Sequence, residues 1–132
     1  MTAEASARML TLTRVLSGLL CFAIGAGIGV VLTFTHRAYL VELGGVPVPL
    51  GLVGALAIVA ALLIGMRLGF GDRAAVFVAG CGVVLASAVL AFPVGAGSVL
   101  VLADPIGYAW ALGPALITLA TVFWPSPPAP VE

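Results

Sequence analysis

Four long apolar runs dominate the chain, and none of them contains an Asp, Glu, Lys, Arg or His residue. The runs cover residues 15–35, 48–66, 74–92 and 106–123. A bilayer hydrocarbon core needs about 20 apolar residues for one helical crossing. A spanning segment must also satisfy its backbone hydrogen bonds internally, which a helix does. The sequence therefore predicts an all-α fold, a transmembrane four-helix bundle.

The composition excludes an ordinary soluble domain. Hydrophobic residues make up 63% of the 132 residues and charged residues only 8%, whereas about a quarter of the residues in a soluble domain are charged. The formal net charge is zero, so no basic stripe for nucleic acid is expected. After four crossings, too little chain is left for a separate soluble domain. We expect one membrane domain over 1–132, with the lipid bilayer as its surroundings.

Prolines and charged residues set the expected helix boundaries. Proline is tolerated in the first helical turn. Pro47 and Pro49 open the second run, and Asp104 with Pro105 opens the fourth. We expect helices over about 15–36, 48–67, 74–92 and 105–124, an outer apolar loop over 93–104, and a proline-rich cytoplasmic tail over 125–132.

The arginines predict the orientation. With four crossings, both termini and the middle turn lie on one side, which carries Arg8, Arg14, Arg67 and Arg73, while Arg37 lies on the other. Basic residues are retained on the cytoplasmic side. We therefore expect a multi-pass plasma-membrane protein in the N-in/C-in orientation. Aromatic residues expected as interfacial anchors are Tyr108, Trp110 and Trp124.

A signal peptide or a lipoprotein site would also begin with a basic residue followed by an apolar stretch. The run after Arg14 is too long for a signal peptide and lacks a small-x-small cleavage site followed by polar mature sequence. Leu20 precedes Cys21, where a lipoprotein site requires a small residue. The first run is therefore interpreted as a transmembrane helix.

Small residues recur at helical spacing within the apolar runs. In lipid, such residues let helix backbones approach and gain dispersion contacts. The candidate helix-packing or partner-interface positions are Gly25, Gly29, Gly51, Ala55, Gly82 and Ala86. Two interpretations stay open: these residues pack the bundle itself, or one face, with Gly25 and Gly29 favoured, docks a helix of another protein.

The two cysteines, Cys21 and Cys81, fall at similar depth, about 10 Å inside the cytoplasmic ends of the first and third helices. No CxxC motif, histidine or carboxylate accompanies them, and two thiols alone make a poor zinc site. We expect both to be small apolar fillers, with no metal and no cofactor.

Polar groups collect at the outer face, where they form a possible cluster. Its members are His36, Arg37, Glu42, Asp104 and Tyr108. In the structural interpretation, Arg37 pairs with Glu42 and Asp104 caps the fourth helix. In the functional one, Arg37 holds an anionic headgroup in an outward-facing cleft and His36 titrates. Because no paired carboxylates and no nucleophile with a base are present, no enzyme is expected.

Two stretches and one short motif stand out: FPVGAGSVLV over 92–101, GYAWALG over 107–113 and TFTHR over 33–37. They resemble a family of small four-helix membrane proteins of unknown function in actinobacteria. In that family, the third helix ends in a Pro-x-Gly step, an apolar outer loop follows, and a Gly-Tyr segment opens the last helix. The resemblance implies a polytopic plasma-membrane protein of an actinobacterium. It does not imply any particular reaction.

The absence of ionisable residues from the four runs bears on function. Proton-coupled transport needs such a residue near the middle of the membrane, and an aqueous pore needs polar walls. The leading hypothesis is a non-catalytic accessory or scaffold subunit of a larger membrane or envelope complex, a respiratory or lipid-transport assembly, partnered by other integral membrane proteins. The alternative is a small carrier or lipid-handling protein with an outward-facing cleft.

Overall fold

The computed structural model describes residues 2–93, 101 and 103–126. This part of the chain folds into four α-helices and one β-hairpin. The elements are α1 (Ala3–Thr35), β1 (Leu40–Leu43), β2 (Val46–Pro49), α2 (Leu50–Phe70), α3 (Arg73–Ala91) and α4 (Pro105–Phe123). All four helices are long and apolar enough to span a membrane, as predicted. Most of the predicted apolar loop and proline-rich tail, 94–100, 102 and 127–132, lies outside the described residues.

Side-chain and glycine caps define the end of α2, the start of α3 and the start of α4. Asp72 Oδ1 accepts a hydrogen bond from the Ala74 amide at 2.9 Å, and Asp104 Oδ1 accepts one from the Gly107 amide at 2.7 Å. These bonds satisfy amides that have no partner inside the helix. Gly71 ends α2 in the left-handed conformation at φ 64°, which glycine adopts without steric cost.

Helix α1 is longer than the crossing predicted from the sequence. The expected start was residue 15, whereas the helix begins at Ala3 and runs for 33 residues, a rise of about 50 Å. Arg8 and Arg14 do not interrupt it, because arginine is a good helix former. The charges mark where the apolar surface stops, not where the helix ends.

The hairpin between α1 and α2 was not predicted. Leu40 pairs with Pro49 and Leu43 with Val46 in an antiparallel register. Gly44 and Gly45 form the turn with φ values of 63° and 83°, the two positive φ angles that a two-residue hairpin turn needs. The Gly-Gly pair between two short apolar stretches was the signal for it in the sequence.

The helices pack chiefly in the order α1, α3, α4, α2, so that α1 lies at an edge of the bundle against α3. The buried hydrophobic core comes from all four helices. Its residues are Leu32, Leu52, Ala55, Val59, Leu63, Met66, Val76, Ala79, Val83 and Trp110. This core holds the C-terminal end of α1 and the N-terminal end of α4 together, which positions the polar residues at those ends.

Candidate polar site at the hairpin end

The bundle has two chemically different ends. The hairpin end comprises residues 36–49, 92–93 and 103–104, and the arginine end comprises residues 3–14, 67–73 and 124–126. At the arginine end, Arg67 donates to Ser126 Oγ at 3.0 Å and so ties α2 to the residues after α4. At the hairpin end, buried polar side chains meet, and these form the candidate site.

The guanidinium of Arg37 binds the carboxylate of Asp104 there. The distance from Arg37 Nη2 to Asp104 Oδ1 is 2.6 Å, and within the described residues this is the one ion pair. The carboxylate that Arg37 pairs with is therefore Asp104 and not the expected Glu42. The hydrogen bond from Arg37, followed by that from the Gly107 amide, lowers the pKa of Asp104. Asp104 both caps α4 and ties it to the end of α1.

His36 is buried directly beside this ion pair. Its side chain is 1% exposed, and its ring stacks on Trp110 with centroids 5.4 Å apart and an interplanar angle of 12°. Nδ1 lies 2.6 Å from the Thr33 carbonyl oxygen. Because a carbonyl only accepts hydrogen bonds, Nδ1 carries the proton, and in the neutral ring Nε2 is left as an acceptor.

The environment favours the neutral form of His36. Burial lowers the pKa of His36 most, and the neighbouring Arg37 guanidinium lowers it further. The Thr33 carbonyl and the Asp104 carboxylate act in the opposite direction, but burial prevails. The imidazole is therefore uncharged near pH 7, since its usual pKa is about 6.5.

Trp110 joins this group to the bundle interior. Its indole Nε1 donates to Thr33 Oγ1 at 3.1 Å, and the same hydroxyl donates to the Gly29 carbonyl at 2.7 Å. Trp110 is 0% exposed, so the expectation of an interfacial anchor is wrong for this residue. The hydroxyl of Thr33 satisfies the indole N–H, which made burial of the large ring possible.

Two buried atoms of the site lack a hydrogen-bond partner among the described residues. They are His36 Nε2 and Arg37 Nε, an acceptor and a donor. Buried side-chain polar atoms in folded proteins nearly always have partners. The site thus contains one buried acceptor and one buried donor that no described residue satisfies, and its described side chains include no nucleophile paired with a base.

The five predicted members of the polar cluster do not all come together. His36, Arg37 and Asp104 form one group, whereas Glu42 lies exposed on β1 and Tyr108 is 59% exposed on α4. Neither Glu42 nor Tyr108 makes a side-chain hydrogen bond to another described residue. Sequence reasoning missed Thr33 and the inward position of Trp110, because it did not determine which face of α4 points toward α1.

The candidate small residues lie at contacts inside the bundle. A Cβ added to Gly29 would come within 2.8 Å of the Val83 carbonyl oxygen, and one added to Gly25 would overlap the Ala79 carbonyl. Gly82 in turn faces the α1 backbone, with the Ala26 amide nitrogen 2.8 Å from its added Cβ. This arrangement favours packing of α1 on α3 over docking of a foreign helix at Gly25 and Gly29.

The remaining three positions also lie within the bundle. A Cβ added to Gly51 would meet the Thr35 carbonyl oxygen at 2.7 Å, where α2 passes the end of α1. Ala55 belongs to the buried core. The Cβ of Ala86 is 3.2 Å from the Cβ that an alanine at position 29 would have.

The cysteines stand apart from the polar site. Cys21 and Cys81 are free thiols of intermediate burial. In the part of the chain that the structure describes, no three His, Cys, Asp or Glu side chains are grouped as a metal site.

Comparison of the chain with protein-family models, with curated proteins and with solved structures found no match. The resemblance to an actinobacterial membrane-protein family therefore stays a prediction.

Proposed function

We propose that the chain is a non-catalytic accessory subunit of a larger membrane complex, a respiratory or lipid-transport assembly of the envelope. The main support for this proposal is the position of α1. Its buried residues Gly25, Gly29, Leu32 and Thr33 all lie in its C-terminal half, whereas residues 7–17 are exposed throughout. The N-terminal turns of the longest helix are thus left largely exposed in the bundle.

The length of α1 supports a protein partner in addition to lipid. About 20 residues suffice to cross the hydrocarbon core, and α1 has 33. The surplus turns include Arg8 and Arg14 and extend beyond the core. A surface that continues from the lipid region into water suits a second membrane protein, because such a partner can contact both parts.

We further propose that the protein lies in the plasma membrane with both termini in the cytoplasm. The positive-inside rule supports this orientation, because the arginine end holds four of the five arginines. A partner that contacts the first turns of α1 would then be reached from the cytoplasmic side.

Photo-crosslinking in intact membranes tests the accessory role. A photoreactive residue replaces Leu19 on α1 or, as the matched control, Leu116 on α4; the two side chains are 61% and 64% exposed. We expect a discrete protein adduct from position 19 and lipid adducts from position 116. A stable monomer after mild extraction, with lipid adducts alone from both positions, would overturn the proposal.

The unpartnered atoms of the hairpin end favour a second candidate, a small carrier or lipid-handling protein. His36 Nε2 and Arg37 Nε offer an acceptor and a donor in a buried position. Arg37→Ala should then change the lipids or solutes that remain bound after purification, while Arg73→Ala, an exposed change of the same charge, should not. Unaltered binding in a folded Arg37→Ala protein would exclude this candidate.

A further inference from the structure

A cavity of about 570 Å³ opens between the N-terminal parts of α1 and α3, at the arginine end. Its volume lies within the range of about 300–1,000 Å³ that is usual for small-molecule sites. Arg14 and Ser17 line it from α1, Asp72 lines it from the start of α3, and Cys21 and Val78 form its apolar part. This cavity is separate from the hairpin-end site, and a ligand could bind in it whether or not the protein is an accessory subunit.

Two opposite charges face this cavity without neutralising each other. Arg14 and Asp72 both line it, yet they form no ion pair, and the Arg14 guanidinium has no hydrogen-bond partner within the described ranges. Asp72 Oδ1 accepts the Ala74 amide at 2.9 Å, which leaves Oδ2 free of described partners. A cation and an anion that line one opening without an ion pair between them are complementary to a zwitterion.

The cavity lies at the depth of lipid headgroups. Arg14 directly precedes the apolar run 15–35, and Asp72 lies two residues before the run 74–92. The charged part of the cavity is therefore at the edge of the hydrocarbon region, and its apolar part, with Cys21 and Val78, extends into that region. A ligand that matches both parts has a zwitterionic head and an apolar chain.

We propose that this cavity binds a phospholipid whose headgroup carries a primary ammonium, namely phosphatidylethanolamine. The phosphate accepts charge-assisted hydrogen bonds from Arg14, and the ammonium donates to Asp72 Oδ2. The hydroxyl of Ser17 lines the same space and is a further donor to the phosphate. Phosphatidylcholine has no ammonium N–H to donate, and phosphatidylglycerol has no cation, so neither satisfies both charged groups.

Lipid retention measured by native mass spectrometry tests the site. The delipidated protein is given an equal mixture of phosphatidylethanolamine, phosphatidylglycerol and phosphatidylcholine. We expect phosphatidylethanolamine to be retained preferentially. Arg14→Gln should lower retention of both the ethanolamine and the glycerol lipid on the order of tenfold, the effect of one lost charge-assisted hydrogen bond.

Asp72→Asn should abolish the preference for the ethanolamine lipid over the glycerol lipid, and it should leave α3 capped, because asparagine caps helices as well as aspartate does. Arg8→Gln and Glu4→Gln are the controls. They make the same charge changes on α1, outside the lining of the cavity, and should preserve the preference. An unchanged preference in Asp72→Asn, or equal losses in the controls, would overturn the proposal.

A second measurement uses the wild-type protein alone and so does not depend on the folding of any variant. Successive N-methylation of the ethanolamine headgroup removes its N–H donors one at a time, and retention should fall stepwise along this series. Equal retention across the series would overturn the role of Asp72. Free phosphoethanolamine should bind far more weakly than the lipid; equal binding would contradict a lipid ligand.

Discussion

The indole N–H of Trp110 on α4 donates a hydrogen bond to the hydroxyl of Thr33 on α1, with 3.1 Å between Nε1 and Oγ1. Both residues are buried, and they join the first and last helices of the described bundle. The same Trp110 ring supports the buried imidazole of His36. This bond therefore fixes α4 relative to α1 at the hairpin end.

Removing that bond should reveal its energy. Thr33→Val leaves the indole N–H without a partner, and Trp110→Phe removes the donor. In a double-mutant cycle followed by unfolding in detergent, we expect a coupling free energy of about 0.6 kcal/mol and at most about 1.7 kcal/mol, as for other hydrogen bonds between transmembrane helices. Fully additive losses in the double variant would contradict the bond.

The contact between α1 and α3 predicts opposite outcomes for two glycines of the same helix. Gly25→Ala places a methyl group on the Ala79 carbonyl, whereas the space around Gly27 is open. We expect Gly25→Ala to lower the free energy of unfolding by about 1–3 kcal/mol, because the helix backbones must separate. Gly27→Ala should be neutral or slightly stabilising. Equal effects of the two changes on thermal unfolding would argue against this packing.

We expect the buried His36 to make the folding stability of the protein depend on pH. Its pKa is lowered in the folded protein, while the unfolded chain titrates near 6.5. Below about pH 6.5, the unfolded state therefore binds a proton that the folded state does not, and stability falls as the pH drops toward the folded pKa. The lowered pKa of Asp104 has its effect only at more acidic pH, near and below the usual aspartate value of about 3.9.

Two measurements check this prediction. His36 is the one histidine of the chain, so its NMR titration is unambiguous and should give a midpoint below the usual value. Thermal unfolding at about pH 7.5 and about pH 5 should show a loss of stability that His36→Gln abolishes. A titration midpoint above the usual histidine value would contradict burial of the neutral ring.

The two roles of Asp104 can be separated by substitution. Asp104→Asn retains the cap on α4 but removes the charge that pairs with Arg37, whereas Asp104→Ala removes both. We expect Asp104→Asn to be destabilised slightly in low salt and less so in high salt, because the pair is partly exposed. Asp104→Ala should be destabilised more at every salt concentration. Thermal unfolding at two ionic strengths provides the comparison.

Cysteine labelling tests the proposed orientation. In a Cys21→Ser, Cys81→Ser background, Glu42→Cys places a thiol on the exposed hairpin and Ser126→Cys places one at the arginine end. A membrane-impermeant maleimide added to intact cells should label position 42 and not position 126. Labelling of position 126 alone would reverse the orientation.

The helices were predictable from the sequence because hydropathy reports directly on lipid exposure. Asp104 followed by Pro105 likewise predicted the start of α4, where both residues meet a local requirement of the first turn. The first 12 residues of α1 were missed because a helix continues through charged residues once it has left the lipid. The hairpin was missed because its signal, Gly44 with Gly45, is only two residues long.

The polar site was predictable in part. The sequence indicated that His36, Arg37 and Asp104 share one side of the membrane, because alternating crossings determine the side. It did not indicate that Asp104 rather than Glu42 binds Arg37, since that choice depends on the tertiary position of β1. The rotation of α4, which turns Trp110 toward Thr33, depends on packing, because apolar residues occur on every face of that helix.

The edge position of α1 has a consequence for biogenesis. The chain is synthesised from its N-terminus, and α1 packs mainly on α3 and little on α2. After the first two helices have entered the membrane, α1 therefore still lacks the neighbour that its glycines fit. Gly25 and Gly29 meet Ala79 and Val83 only once the third helix has been inserted, so assembly of the bundle awaits translation of α3.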